Sequence, residues 1–467
     1  MLALFGLHKY FLLHLYRHYK NDPLPSLKSP IDWPHICIQL PIYNERYVVR
    51  RLLRSIVQLD YPQDKLQIQV LDDSRDDTTR LLSRLVPLLQ KRGYQIEHIR
   101  RSNREGFKAG ALAYGLKKTT AQWIAIFDAD FFPNPDFIKQ TMPFLLQEGI
   151  GMVQTRWGHA NRNYSLLTRI QAIFLDAHFN IEHLARHRSG RFFNFNGTAG
   201  IWRRKAIEDA GGWQHDTLTE DLDLSYRAQL AGWKFIYLPE IVAPAELPIE
   251  MNAYKTQQHR WAKGSVQTAL KLYSRILKSD FPLFIRLEAI IHLSNNLAYL
   301  MMVIPALLLI PILKFQLELH WNWLLILYFI TFITSTFSVM IYYAHSMKTV
   351  LGKLWPDVLY IPLLIAVGIG LSLNNGRAAL EALAGYQSEF KRTPKYMIEG
   401  QKGTWKRKKY KPKRGYQHIF EFLAAGYFII GLVYYLYKGF YLSLPFFLLF
   451  QFGFFYLAYF SFKGQKT

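Results

Sequence analysis

Trp123-Ile124-Ala125-Ile126-Phe127-Asp128-Ala129-Asp130-Phe131-Phe132-Pro133 is the stretch on which the reading of this chain turns. Five apolar residues run straight into two carboxylates one residue apart. In an extended chain, residues i and i+2 point the same way, so Asp128 and Asp130 converge on one point at the end of a strand. Left alone, the two charges repel. A divalent cation removes that cost and keeps open positions for phosphate oxygens. An acid pair of this kind also occurs in plain surface turns, so its meaning depends on what surrounds it.

Working outward, further strand candidates lie at residues 35–40, 66–71, 94–99, 151–155 and 234–238, besides 123–127. Helix-like segments at 45–59, 77–91 and 107–117 fall between them. Strands alternating with helices predict a mostly parallel sheet covered on both faces. The chain of 467 residues is too long for one domain. With 50% hydrophobic and 19% charged residues, disorder, collagen and coiled coil are excluded. The single cysteine, Cys37, excludes a disulfide framework and a cysteine-based zinc site.

Beyond residue 280 the character changes. Apolar runs at 296–313, 321–343, 354–373, 418–437 and 440–460 mostly reach the ~20 residues that cross a bilayer, and aromatics crowd their ends. Residues 391–414 carry eleven Lys or Arg and one acid, Glu399, which places that loop on the cytosolic side. Beside membrane helices, this basic run suits a cytosolic loop facing anionic lipid better than nucleic acid binding. The acid-bearing region before residue 280 is expected on the same side, so an even number of crossings separates the two. That predicts that 354–373 re-enters or lies in the interface, and that 283–292, which contains Arg286 and Glu288, is an interface helix. The apolar 2–16 segment, with His8, Lys9 and His14, reads as an anchor or interface helix rather than a signal peptide.

Three more clusters carry chemistry. Asp72-Asp73-Ser74 ends the strand Val70-Leu71, where ligands of open α/β sheets sit; a carboxylate there suits a nucleobase or ribose, and a turn uses the same residues. Lys108, near a helix start, suits a diphosphate. Thr219-Glu220-Asp221 offers a carboxylate to take a proton from a sugar hydroxyl, or else a helix start capped by Thr219 and carrying N-terminal charge. Gln257-Gln258-His259-Arg260-Trp261 places Gln257 and Trp261 on one helical face, a flat indole beside oriented donors.

Taken in order, Asp72-Asp73, Asp128-Ala129-Asp130, Thr219-Glu220-Asp221 and Gln257-x-x-Arg260-Trp261 resemble the motifs of processive family 2 glycosyltransferases, the cellulose, hyaluronan, chitin and mannan synthases. The resemblance covers roughly residues 35–400. Phe195-Asn196-Gly197-Thr198-Ala199-Gly200 and Gln257-Gln258-His259-Arg260-Trp261 look most like mannan synthases of the cellulose synthase-like class. Phe390-Lys391-Arg392-Thr393-Pro394-Lys395 is similar to the Phe-x-Val-Thr-x-Lys gating loop of bacterial cellulose synthase, with Arg392 in place of valine.

The resemblance implies an α/β, GT-A type (Rossmann-like) cytosolic domain on an α-helical transmembrane bundle. Its expected divisions are a membrane anchor or interface segment at 1–30, the transferase domain at 31–280, interface and transmembrane helices at 281–375, a cytosolic gating-type loop at 376–417, and a C-terminal helix pair at 418–467. It implies an inverting β-glycosyltransferase that moves a hexose from UDP-glucose or GDP-mannose onto a growing mannan, glucan or glucomannan. The alternatives are a single-addition enzyme with a lipid acceptor and a non-catalytic channel or assembly subunit. Asp72 and Asp73 would hold the nucleoside. Asp128 and Asp130 would hold Mg2+ or Mn2+ and the diphosphate, which Lys108 would help neutralise. Asp221 would be the general base. Glu220, Gln257, Arg260 and Trp261 would hold the acceptor end or the diphosphate, and Phe390, Thr393 and Lys395 would form the gate. Membrane lipid is the expected surroundings, in a plasma, inner or Golgi-type membrane, and nucleic acid is not an expected partner.

Overall fold

A computed structural model describes residues 2–24, 27, 29–319, 323–405, 408–410 and 415–466. Trp321, which opens the second apolar run, and six residues of the basic loop (406, 407 and 411–414) lie outside them.

Up to residue 277 the chain contains helices α1 (Leu2–Tyr19), α2 (Val49–Val57), α3 (Asp77–Gln90), α4 (Phe107–Leu116), α5 (Phe137–Leu145), α6 (Leu166–Ala177), α7 (Leu184–Arg188), α8 (Arg204–Asp209), α9 (Glu220–Leu230) and α10 (Met251–Leu277). Its strands are β1 (Ile36–Ile42), β2 (Leu66–Asp72), β3 (Gln95–Ile99), β4 (Trp123–Ile126), β5 (Ile150–His159), β6 (Gly200–Arg203) and β7 (Lys234–Ala245). They form one sheet in the order β3-β2-β1-β4-β6-β5-β7. Pairing is parallel except on either side of β6, which runs against both β4 and β5. All the strands expected from the apolar runs are present; β6 was not foreseen.

The sheet is buried on both faces, and the side-chain period of two shows why. Ile36, Ile38, Leu40 and Ile42 pack with Leu52, Ile56, Leu82 and Phe137 on one face. Ile124 and Ile126 pack with Leu112, Trp202 and Phe235 on the other. Burying polar groups costs unless they are paired. Gln39 of β1 meets that condition in part, its Nε2 donating to Gln69 Oε1 of β2 at 3.0 Å. Because β1, β2 and β4 are parallel, their carboxyl ends open on the same side, and the loops that follow them meet there.

Eight further helices follow: α11 (Leu283–Ser294), α12 (Leu297–Leu319), α13 (Trp323–Thr331), α14 (Ser338–Leu351), α15 (Tyr360–Gly370), α16 (Ser372–Leu383), α17 (Gln417–Tyr437) and α18 (Leu444–Lys466). Three stretches among them, Leu297–Gln316, Gln417–Tyr437 and Leu444–Gly464, are long and apolar enough to cross a bilayer. The α15–α16 pair is bent by 42°. The second apolar run is helical on both sides of a π-helical stretch, Phe332–Phe337. Helix α11 turns Leu283, Phe284, Leu287 and Ile291 outward, while Glu288 faces inward to Arg186 at 2.8 Å. Its apolar side is therefore the outer one.

Close backbone contact ties the apolar helices together, as expected where helices pack through small residues. A Cβ at Gly453 of α18 would lie 2.1 Å from the Ala366 carbonyl of α15, and one at Gly6 of α1 would lie 1.6 Å from the Thr334 carbonyl. Buried polar contacts join this bundle to α10. Lys255 of α10 pairs with Glu421 of α17 at 2.5 Å, and Asn374 Nδ2 of α16 donates to the Lys255 carbonyl at 2.9 Å.

Candidate active site

One cavity opens over the carboxyl ends of β1 and β4. It is lined by Asp73, Lys108, Asp128, Asp130, Glu220, Asp221, Gln257, Arg260, Trp261, Phe390, Arg392, Thr393 and Lys395, all singled out from the sequence.

The acid pair sits where β4 ends. Asp128 N donates to Thr198 Oγ1 at 2.9 Å, and Ala199 N donates to the Ile126 carbonyl, so the chain leading into β6 fixes the turn. Each carboxylate already holds an ammonium group. Lys108 Nζ donates to Asp128 Oδ1 at 2.6 Å, and Lys395 Nζ donates to Asp130 Oδ2 at 2.7 Å. Asp128 remains 35% exposed and Asp130 7%. Lys108 enters from the first turn of α4, and its second hydrogen bond goes to the Gly197 carbonyl at 2.8 Å. Burial alone lowers an ammonium pKa. Here Asp128, Glu220 and Asp221 outweigh burial and hold Lys108 above its ordinary value.

The donor set fits a divalent cation. Both groups offer hard carboxylate oxygens, and the bound lysines show that the pair accepts positive charge. Among the described residues no cluster of three or more His, Cys, Asp or Glu forms. The pair therefore suits an ion that completes its shell with ligand oxygens and water.

The adjacent acids Asp72 and Asp73 part company. The Ile42–Asp72 register buries Asp72 in the sheet, where it accepts from Ser74 N at 2.9 Å and pairs with His98 Nε2 at 2.9 Å. Asp72 is 1% exposed and does not line the cavity, contrary to its expected place on the nucleoside. Asp73 does line it, held by the Arg101 guanidinium, whose Nε lies at 3.0 Å.

At the start of α9, Asp221 is half-buried, and its Oδ1 accepts from Leu222 N at 2.8 Å. Burial first and the neighbouring Glu220 charge second push its carboxyl up to about 7, against the pull of Lys108 and Arg260. Asp223 faces away, buried against Arg227 and Lys271. Thr219 stands at the N-cap position, but its Oγ1 makes no capping hydrogen bond; it lies beside Gly264 of α10, where a Cβ would meet it. Gln257, Arg260 and Trp261 come from α10, and the Arg260 guanidinium lies 4.5 Å from the Phe390 ring.

The segment from Phe390 to Lys395 folds back onto the cavity, and residues unremarked in the sequence hold it there. Arg392 donates to both oxygens of Glu45, at 2.9 and 3.0 Å. Burial outweighs that pairing and pushes Glu45 up to about 7. Glu246 accepts from Tyr396 N at 2.8 Å and Ile398 N at 3.1 Å, and its carbonyl accepts from Lys395. Arg104 lies 3.4 Å from the Tyr43 ring centroid, facing Phe107 and Phe390. The available signal was topological: Glu45 and Glu246 follow the ends of β1 and β7, on the side where the acid pair opens.

Comparison with known proteins agrees with this geometry. Residues 34–264 match the family described as "Glycosyltransferase like family 2". Glucomannan 4-beta-mannosyltransferase 1 of Oryza sativa subsp. japonica is 37% identical over 314 residues, which cover 63% of this chain and 60% of that one. Glucomannan 4-beta-mannosyltransferase 2 of Arabidopsis thaliana is 40% identical over 270 residues, covering 56% and 51%. The chain thus spans about half to three fifths of the length of these relatives. Among solved structures, the mannosyltransferase PcManGT from Pyrobaculum calidifontis, in complex with GDP-Man and Mn2+, shares the fold with a TM-score of 0.51 at 19% identity, covering 82% of this chain and 99% of that one. Over residues 34–264 the chain is similar in sequence to the family 2 glycosyltransferases, and its fold is like that of the Pyrobaculum mannosyltransferase.

Proposed function

We propose that this chain is a membrane-bound inverting β-hexosyltransferase that extends a mannan- or glucomannan-type polysaccharide from a nucleotide sugar. The observation that carries this reading is the placement of Asp221. It stands in the same cavity as Lys108, Asp128 and Asp130, its carboxylate accepts from Leu222 N, and, as with Glu220 beside it, no lysine or arginine among the described residues pairs with it.

The residues divide the work as follows. Asp73, steadied by Arg101, meets the nucleoside. Lys108 meets the diphosphate, near the start of α4, whose amides favour negative charge. A divalent cation on Asp128 and Asp130, when bound, neutralises the leaving diphosphate as a Lewis acid. Trp261 supplies a flat apolar face for the acceptor sugar, and Gln257 and Arg260 orient it, with Glu220 beside them. Asp221 takes the proton from the acceptor hydroxyl as that oxygen bonds to the anomeric carbon. The bond from the anomeric carbon to the diphosphate breaks on the opposite face, so the configuration inverts. Phe390, Thr393 and Lys395 cover the cavity and exclude water. The transferase region and the loop at 391–414 share the cytosolic side, and the apolar helices make the chain multi-pass.

The relatives' names favour mannosyl over glucosyl transfer. Membranes containing the protein should transfer label from GDP-mannose, with Mg2+ or Mn2+, into a polymer whose linkage analysis shows β-linked mannose. Absence of transfer from both GDP-mannose and UDP-glucose would sink the reading.

A further inference from the structure

The Asn196 side chain has one end fixed and the other unpartnered. Its Nδ2 lies 3.1 Å from His178 Nε2, and its backbone N donates to Gln154 Oε1 at 2.9 Å. Its Oδ1 is buried and has no hydrogen-bond partner among the described residues. Leaving a buried acceptor unpaired is costly, so such an atom calls for an explanation.

The orientation of the amide follows from the residues behind it. His178 Nδ1 lies 3.2 Å from Glu182 Oε2. Burial raises a carboxyl pKa, but Lys9, His178 and Arg186 outweigh it and hold Glu182 well below the usual carboxylate range. An ionised carboxylate only accepts, so Nδ1 is the ring's donor to Glu182, and in the Nδ1–H tautomer Nε2 is an acceptor. Asn196 must then turn its NH2 to His178 and its carbonyl the other way. These partners lie in or beside the π-helical stretch His178–His183, a local geometry that recurs at functional sites.

The location of Asn196 identifies what it meets. It lines the cavity. The next residue, Gly197, has φ +82, and a Cβ there would lie 2.8 Å from Asp221 Oδ2 and 3.4 Å from Lys108 Nζ. Asn196 therefore adjoins the gap between the general base and the diphosphate lysine. In the proposed reaction, on which this inference rests, that gap holds the hexosyl group being transferred.

We propose that Asn196 Oδ1 accepts a hydrogen bond from one hydroxyl of the donor hexose, and that His178, backed by Glu182, is a positioning residue that keeps the amide turned for this contact. A site built to bond a hydroxyl discriminates strongly against the sugar lacking it. Asn196 thereby becomes a determinant of donor specificity.

The test uses the full-length protein in membranes, the donor it turns over, and the monodeoxy analogues of that donor. One analogue should lose about 5- to 100-fold in kcat/KM with the unmutated protein. Asn196→Ala should lose a similar factor with the parent donor and little more with that analogue, the non-additive pattern of a shared contact. His178→Ala should also blunt the discrimination. Affinity for the free nucleoside diphosphate should be unchanged in both, which also shows that they are folded. If Asn196→Ala keeps the parent's rate, or every analogue is penalised equally in both proteins, the assignment is overturned. If either variant fails to bind nucleoside diphosphate, the residue is structural and the assignment falls for it. If the unmutated protein transfers no sugar, the parent reading fails and this one with it.

Discussion

The raised pKa of Asp221 makes a prediction about pH that separates a base from a bystander. With its carboxyl near 7, Asp221 is about half ionised at pH 7 and about one tenth ionised at pH 6. The kcat/KM of the unmutated protein should therefore fall about tenfold per pH unit on the acid side, with its bend near 7. Asp221→Asn should cost on the order of 10²–10⁴-fold and abolish the bend. Glu220→Gln is the sharper perturbation. Glu220 is the second cause of the rise, after burial, so removing its charge should move the bend to lower pH. The same shift has a thermodynamic counterpart. The folded state holds this proton more tightly than the unfolded chain, so stability is unaffected below pH 3.8, falls between 3.8 and about 7, and stays reduced above. The full cost is up to about 4 kcal/mol, at 1.36 kcal/mol per pH unit. Asp221→Asn, neutral and equal in size, should accordingly raise the melting temperature at pH 8 and leave it unchanged near pH 3.5. The assay is transfer of labelled sugar between pH 5.5 and 8.5, with thermal unfolding of the same preparations. An acid limb that persists in Asp221→Asn, or does not move in Glu220→Gln, would refute the assignment.

Excess chelator should stop transfer, and Asp130→Asn should abolish both transfer and Mn2+ binding followed by electron paramagnetic resonance while the protein stays folded; full activity in chelator contradicts the metal assignment. Because Lys395 Nζ sits on Asp130 Oδ2, Lys395→Ala should tighten Mn2+ binding by the donor-free protein several-fold, and unchanged or weaker binding would show that the two do not compete. A thiol placed by Lys402→Cys should resist an impermeant reagent in intact cells and react after permeabilisation, with native Cys37 silent because it is fully buried; labelling in intact cells overturns the cytosolic placement.

What the sequence disclosed, and what it hid, follows from the range of the forces involved. The buried parallel strands were legible because each is an apolar run bounded by turn residues. Strand β6 was hidden because its four residues, Gly200–Arg203, follow the left-handed Ala199 and make no recognisable run of their own. The acids at the ends of β2 and β4 and at the start of α9 were legible because motif spacing and strand ends coincide. Which of Asp72 and Asp73 faces the cavity was not, because neighbouring residues in a strand point to opposite sides and only the register with β1 decides. The inward face of Glu288 was hidden for a related reason: its partner, Arg186, lies 102 residues earlier in the chain. Glu45 and Glu246 gain their roles from a loop 347 and 150 residues away. No local pattern encodes such contacts.

The cavity also shows how one sheet end keeps two kinds of carboxylate. Asp128 and Asp130 each carry a lysine ammonium at hydrogen-bond distance, so both are arranged to exchange one cation for another. Asp221 has no such partner. It accepts from a backbone N–H, lies beside the like charge of Glu220, and feels Lys108 and Arg260 without a hydrogen bond to either. The first pair is suited to holding charge, and the second group to taking up a proton near neutral pH. Environments that push carboxyl groups apart in this way assign acid–base roles within a single site. Lys108 ties the two together in space. It bonds Asp128 and the Gly197 carbonyl together, and Gly197 in turn packs against Asp221 with no room for a side chain. Exchanging Gly197 for alanine would put a methyl group 2.8 Å from the base and strain a backbone at φ +82. Lys108, Gly197 and Asp221 are thus packed together, with the Phe195–Gly200 turn lying between the acid pair and α9.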